Sequence, residues 1–272
     1  MPAEGIPTKA LIAIAIVFLA LVVVQLRWGP DKDRNGAAQR PALSQMHIAD
    51  DGSVEIGLAA DMTQGDLEAL MADRVRLLRE GGERERRATA LELATMADDP
   101  VGRDLLLQVS QPLGRQLRVA LFDGLKDPDA VVVRNCRRAL IGLWRIFPND
   151  AAARRFADGL KAYEAHDMDG ALSAFQDAES LSGFCPPDLC RMMAEAWLAK
   201  SPPDPAAAVV ASQKALESEP QHFLALCTKA RALGDLDRSG EAVSALEGAL
   251  AICPSLPEAR DLRARLAGGG PD

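Results

Sequence analysis

Residues 10–26 run apolar at all but one position, ALIAIAIVFLALVVVQL, between Lys9 and Arg27. Gln25 is the only polar side chain in that run. As a helix its seventeen residues span about 25 Å, the lower limit for crossing a bilayer. Twelve of them are Leu, Ile, Val or Phe, which favours insertion by several kcal/mol, and Trp28 would sit at the interface. A cleaved signal peptide needs small residues at its cleavage site, and Val-Val-Val-Gln-Leu-Arg-Trp offers none. The pattern predicts an uncleaved transmembrane helix within residues 1–28. Residues 29–45 are polar, contain Gly and Pro, lack periodicity and read as a flexible tether. Met46, Ile48, Val54 and Ile56 then alternate around Asp51-Gly52. That is a short hairpin signal, and an irregular linker fits it equally well. The linker as a whole covers residues 29–62.

From Thr63 the apolar positions recur at helical spacing. Thr63-Gln-Gly-Asp66 resembles a capping box ahead of LEALMADRVRLLRE, and Gly81-Gly82 ends that helix. A second helix runs through ERRATALELATMA until Asp98-Asp99-Pro100 breaks it. A further pair follows: LGRQLRVALFDGL, the turn Lys126-Asp-Pro-Asp129, and AVVVRNCRRALIGLW. Asp129 can cap the later helix, Pro128 stops the earlier one, and Ala139 lets the two approach. Leu125, Asp127-Pro128-Asp129, Val133-Arg134 and Ala139-Leu140 together resemble a HEAT-type repeat at about residues 112–146. The reading is a HEAT-like helical domain over residues 63–147.

Beyond Phe147-Pro148 small residues recur at a fixed interval. Ala208 and Ala242, Ala215 and Ala249, Leu216 and Leu250, and Pro220 and Pro254 are each 34 residues apart. Gly159, Ala171 and Ala178 form an earlier set around Phe175, and Ala194 and Ala230 fall in register with the later ones. A surplus of residues near Cys185 and at 201–204 sits in turns, where insertion costs little. Thirty-four residues is the tetratricopeptide period, and residues 150–266 resemble that family. Gly183 stands where the other units have their closing proline, and the usual aromatic at position 4 is missing. The resemblance implies helical hairpins whose small residues let helices pack closely, with a polar capping helix from Pro257. The fold expected is all-α: a transmembrane helix, then an α-α superhelical solenoid of HEAT-like and tetratricopeptide repeats. The repeat domain covers residues 148–267, and 268–272 is a tail.

The resemblance also implies a concave groove lined by positions 5, 9, 12 and 13 of the first helix in each repeat. Here those are Phe156, Leu160, Tyr163 and Glu164; Arg191, Glu195, Leu198 and Ala199; and Cys227, Arg231, Gly234 and Asp235. This mix suits a protein or peptide partner with apolar and charged anchors. The Lys/Asn set with which family members clamp a C-terminal carboxylate is not seen.

Charge and chemistry narrow the picture further. The net charge is −8 over 272 residues, which argues against general nucleic-acid binding. Residues 1–65 carry −2, residues 66–155 carry +2 and residues 156–272 carry −8, a shift that suggests two modules joined near residues 147–155. Arg134, Arg138 and Arg145 share a helical face that reads first as solvated and second as a binder of acidic peptides or lipid head groups. His47, His166 and His222 are far apart, and no phosphate loop, Gly-x-Ser-x-Gly or Cys-x-x-Cys occurs. No catalytic, cofactor-binding or metal-binding residue is expected, and the protein is not expected to be an enzyme. Cys136, Cys185, Cys190, Cys227 and Cys253 read as small buried thiols. Cys185 and Cys190 could instead bridge in an oxidising compartment.

These readings converge on a single-pass membrane scaffold or adaptor. Lys9 precedes the span and Arg27, Lys32, Arg34 and Arg40 follow it, which by the positive-inside rule leaves the solenoid in the cytoplasm. Two rivals are a periplasm-facing assembly factor or chaperone, as among tetratricopeptide proteins of envelope and cytochrome c biogenesis, and a structural protein that self-associates.

Overall fold

The computed structural model describes residues 63–267 and the two strand segments 46–48 and 54–56. The anchor at 10–26, the tether and the C-terminal tail lie outside the described residues. Among the described residues no helix is long and apolar enough to cross a membrane. Strand β1 (Met46–Ile48) pairs antiparallel with β2 (Val54–Ile56), Met46 opposite Ile56 and Ile48 opposite Val54. The segment with two open readings is thus a hairpin, in a unit separate from the helical body that begins at Thr63.

That body starts with α1 (Gln64–Glu80), entered through a reciprocal capping box. Thr63 N donates to Asp66 Oδ2 at 3.0 Å, and Asp66 N donates to Thr63 Oγ1 at 3.2 Å. Helix α2 (Glu83–Asp98) follows across Gly81-Gly82. Pro100 ends α2 and also starts a helix, α3 (Pro100–Gln108), because proline suits the first turn, where no N–H is needed. Asp99 caps it by accepting from Gly102 N at 2.7 Å. Helices α4 (Gln111–Gly124) and α5 (Ala130–Leu143) flank the Asp-Pro-Asp turn, where Asp129 accepts from Val131 N at 2.7 Å.

The pairing within this module differs from the expected one. Ala139 was read as the contact between α4 and α5, yet α5 packs more extensively along α2, and α1 packs along α4. Small residues explain the choice. Ala90, Ala94 and Ala97 on α2 are completely buried. A Cβ placed on Gly142 of α5 would come within 2.4 Å of Ala97 O. Backbones this close maximise dispersion contact.

The array comprises α6 (Asp150–Glu164) with α7 (Met168–Ser182), α8 (Pro187–Ala199) with α9 (Pro205–Ser218), α10 (Phe223–Asp235) with α11 (Ser239–Ile252), and a final α12 (Pro257–Ala267). Each pair packs along its length across a short turn, so its helices run antiparallel, and successive pairs stack through α7–α8 and α9–α10. First helices also touch: α8 meets α10, and α10 meets α12. Ala171, Ala178, Ala194, Ala208, Ala215, Ala230, Ala242 and Ala249 are all at 0 % exposure. Gly159 is buried against Phe175, whose Cε1 lies 2.4 Å from where a Cβ would be. Gly183 adopts φ +71°, a left-handed cap that ends α7 by backbone geometry where the later units use proline. The helices from Thr63 onward form one compact unit.

Candidate partner-binding face

The residues expected to line the groove divide into two sets. Position 5 of each unit is internal. Phe156 is buried among Phe147 at 5.0 Å, Phe175 at 5.7 Å and the Arg145 guanidinium at 5.7 Å. The Arg191 side chain keeps 11 % exposure, and its Nε donates to Asp188 Oδ1 at 2.5 Å. Cys227 is buried, which pushes its thiol pKa up to about 12.

The reason is a contact that sequence reasoning missed. The N-terminal module lies against the starts of α8, α10 and α12. Arg145, just beyond α5, donates from Nε to Asp188 Oδ2 at 2.6 Å. Trp144 stacks on His222 at 3.9 Å, packs against Phe223 at 5.4 Å, and donates from Nε1 to Glu219 Oε2 at 3.2 Å. Arg118 of α4 also pairs with Glu219. Arg137 donates to Glu258 Oε1 at 3.0 Å and lies over the Phe223 ring at 6.0 Å. Two arginines of the basic stripe are therefore engaged, Arg145 with Asp188 and Arg138 with Asp98 at 2.5 Å, while Arg134 is exposed.

The second set stays open. Leu160, Tyr163 and Leu198 are half-buried; Glu164, Ala199 and Asp235 are exposed. Arg231, with 41 % of its side chain exposed, pairs with Glu195, which also accepts from Thr228 Oγ1 at 2.6 Å. Tyr163 belongs to the same group. Burial raises its pKa, nearby Glu195 raises it further, and Arg231 and Arg191 oppose the rise. Its hydroxyl makes no hydrogen bond to another described residue. Gly234 faces α12: a Cβ there would meet Leu266 Cδ2 at 3.4 Å. The structure thus brings Tyr163, Glu195 and Arg231 together as an aromatic body beside a paired, half-wet charge, a surface with apolar area and free hydrogen-bonding capacity.

Elsewhere, an open cleft of about 270 Å³ lies between α4 and the end of α11, lined by Val119, Phe122, Gln221 and Ile252 among others. Cys185 and Cys190 are joined as a disulfide with Cα atoms 5.9 Å apart, the bridged alternative of the two that their sequence leaves open. Cys136, Cys227 and Cys253 are buried thiols. Among the described residues no group of three or more His, Cys, Asp or Glu is placed to hold a metal ion.

No protein-family model and no curated protein sequence matches the chain. Among solved structures, the TPR domain of Arabidopsis OM64 aligns over 44 % of this chain and 98 % of its own, at 21 % identity and a TM-score of 0.41. The TPR2AB-domain–pHSP90 complex of yeast Sti1 aligns over 76 % of this chain and 86 % of its own, at 15 % identity and a TM-score of 0.40.

Proposed function

We propose that this protein is a non-enzymatic adaptor, anchored in a membrane through residues 10–26, that binds an extended protein segment on the open part of its repeat array. The observation that carries the reading is the division of the inner face. Its position-5 end is filled by the chain's own N-terminal module, while Tyr163, Glu195 and Arg231 remain partly accessible near one another, with Leu198 half-buried on the helix that carries Glu195. Tyrosine and arginine dominate binding energy most often, because each buries large area and still hydrogen-bonds. The HEAT-like reading of residues 112–146 is part of the proposal, supported by the Asp129 cap and the Pro128 turn. The test starts with capture of a partner by residues 60–272 and its identification by mass spectrometry. Titration of that partner then compares variants. Tyr163→Ala and Arg231→Ala should each weaken binding by about 1–2 kcal/mol with little change in melting temperature. Glu241→Lys, on an outer helix, should leave binding intact; a larger effect there than on the inner face would reject the reading.

A second reading, an assembly factor or chaperone facing the periplasm, draws support from the Cys185–Cys190 disulfide, since such bonds persist in oxidising compartments. The charge count around the span supports the cytoplasmic side instead. A reporter active only in the periplasm, fused after residue 272, decides between them. Activity places the array outside, and silence places it in the cytoplasm.

A further inference from the structure

The N-terminal module meets the array around buried polar groups. Asp188 and His222 are fully buried, and Glu219 is 5 % exposed. His222 Nδ1 accepts the backbone N–H of Ala225 at 3.2 Å and so caps α10. Nδ1 therefore carries no hydrogen, and the neutral ring holds its proton on Nε2. Nε2 has no hydrogen-bond partner and lies 3.6 Å from Asp188 Oδ1. Trp144 covers one face of the ring. The charged groups around it are Asp188 and Arg191 of α8, Arg145 beyond α5, and Glu219 at the end of α9, itself held by Trp144 and by Arg118 of α4.

A second proton has one place to go, the capping nitrogen. There it would set two N–H donors face to face and put a cation at the positive end of a helix, near Arg145 and Arg191. Asp188 is already shared by those two arginines. Burial is the main cause that holds the His222 pKa below its ordinary value; Asp188 and Glu219 resist that shift and Arg191 adds to it.

We propose that protonation of His222 unlatches the N-terminal module from the repeat array, so that acidification uncovers the filled end of the inner face. The docked ring refuses the proton, while the undocked ring accepts it near pH 6.5. A group that binds a proton only when released makes release favourable as pH falls. Docking is at full strength above pH 6.5 and weakens below it. Between pH 7.5 and 5.5 the docked-to-undocked ratio drops by up to about tenfold. Asp188 stays ionised throughout, because Arg191, His222 and Arg145 outweigh its burial and hold its carboxyl well below the usual range.

The test is hydrogen exchange on the full chain in detergent micelles at the two pH values, with rates corrected for the intrinsic pH dependence. Amides at the end of α5 and over residues 222–228 should lose up to about tenfold in protection at pH 5.5, while those of α7 hold. His222→Asn keeps a capping acceptor and does not titrate, so it should abolish the change. Constant protection in the native chain, an equal loss in His222→Asn, or a loss spread evenly over the array would each overturn the proposal. If the variant does not fold, proton resonance of the His222 ring replaces it. Titration in step with lost α10 protection supports the latch; an ordinary midpoint with α10 still protected sinks it.

Discussion

Gly159 shows how finely the repeat register is enforced at single positions. Its Cα faces the fully buried ring of Phe175, and an added Cβ would sit 2.4 and 2.5 Å from two ring carbons. The ring cannot yield, because Phe156 packs against it at 5.7 Å. Gly159→Ala should therefore lower stability by about 1–3 kcal/mol, even though alanine favours helices. Gly114 is the control: it too lies within a helix, yet nothing is within 4 Å of its would-be Cβ. Gly114→Ala should stabilise by about 0.5–1 kcal/mol. Urea unfolding of both variants, followed by circular dichroism, checks the pair; the same sign for both would mean that the packing around Gly159 is wrong. Position 159 stands out in the sequence because glycine is small at a place where the period requires a small residue. Phe156 shows the opposite. Its family position implies a groove residue, but nothing local in the sequence says that Phe147 and Arg145 cover it.

Elements were more legible than their partners. Helix starts carried local chemical signals: Thr63 with Asp66, Asp129 before α5, and Asn149 before α6, whose Oδ1 accepts from Ala152 N at 2.9 Å. The signals for α3 are present as well, but Asp99-Pro100 reads equally as a stop and as a start, and the structure uses it as both. Periodicity tells which face of a helix is apolar, not what covers it. Hence the pattern pairs α5 with its sequence neighbour α4, although Gly142 of α5 fits closely against the small residues of α2. In the array the same inference fared differently, since a constant period names the partner as well as the face: each unit stacks on a near copy of itself. His222 is hidden from sequence reasoning for a related reason. It stands at a helix start, where sequence reasoning looks for Ser, Thr, Asp or Asn, and here an imidazole nitrogen accepts instead.

For the whole molecule, the junction between the module and the array is the feature least accessible from sequence. Arg145 and Asp188 are 43 residues apart, Arg118 and Glu219 are 101 apart, and no periodic pattern links them. Asp188 ties the junction together, with no exposure and two arginines on its oxygens. Asp188→Asn would leave both guanidinium groups facing a neutral amide. Arg191 is nearly buried while Arg145 keeps about a third of its surface, so the expected loss is about 3 kcal/mol, the low end for breaking a buried pair. Arg145→Met removes the other partner, and the two changes together should cost less than their sum, with a coupling of about 1–3 kcal/mol. Additive losses would show that the pair does not join the two parts. The pH sign follows from the same contact. Burial alone would raise the Asp188 pKa, but Arg191, His222 and Arg145 lower it well below its ordinary value. Its contribution is complete above about pH 3.9 and is lost as pH falls through the acidic carboxylate range. Unfolding measured from pH 7 to pH 2 should therefore show two separate losses, one below pH 6.5 from His222 and one in strong acid from Asp188. Asp188→Asn should shrink the acid step, to which Asp66, Glu68, Asp129 and Glu241 with their lowered pKa values also contribute, and His222→Asn should remove the step near pH 6.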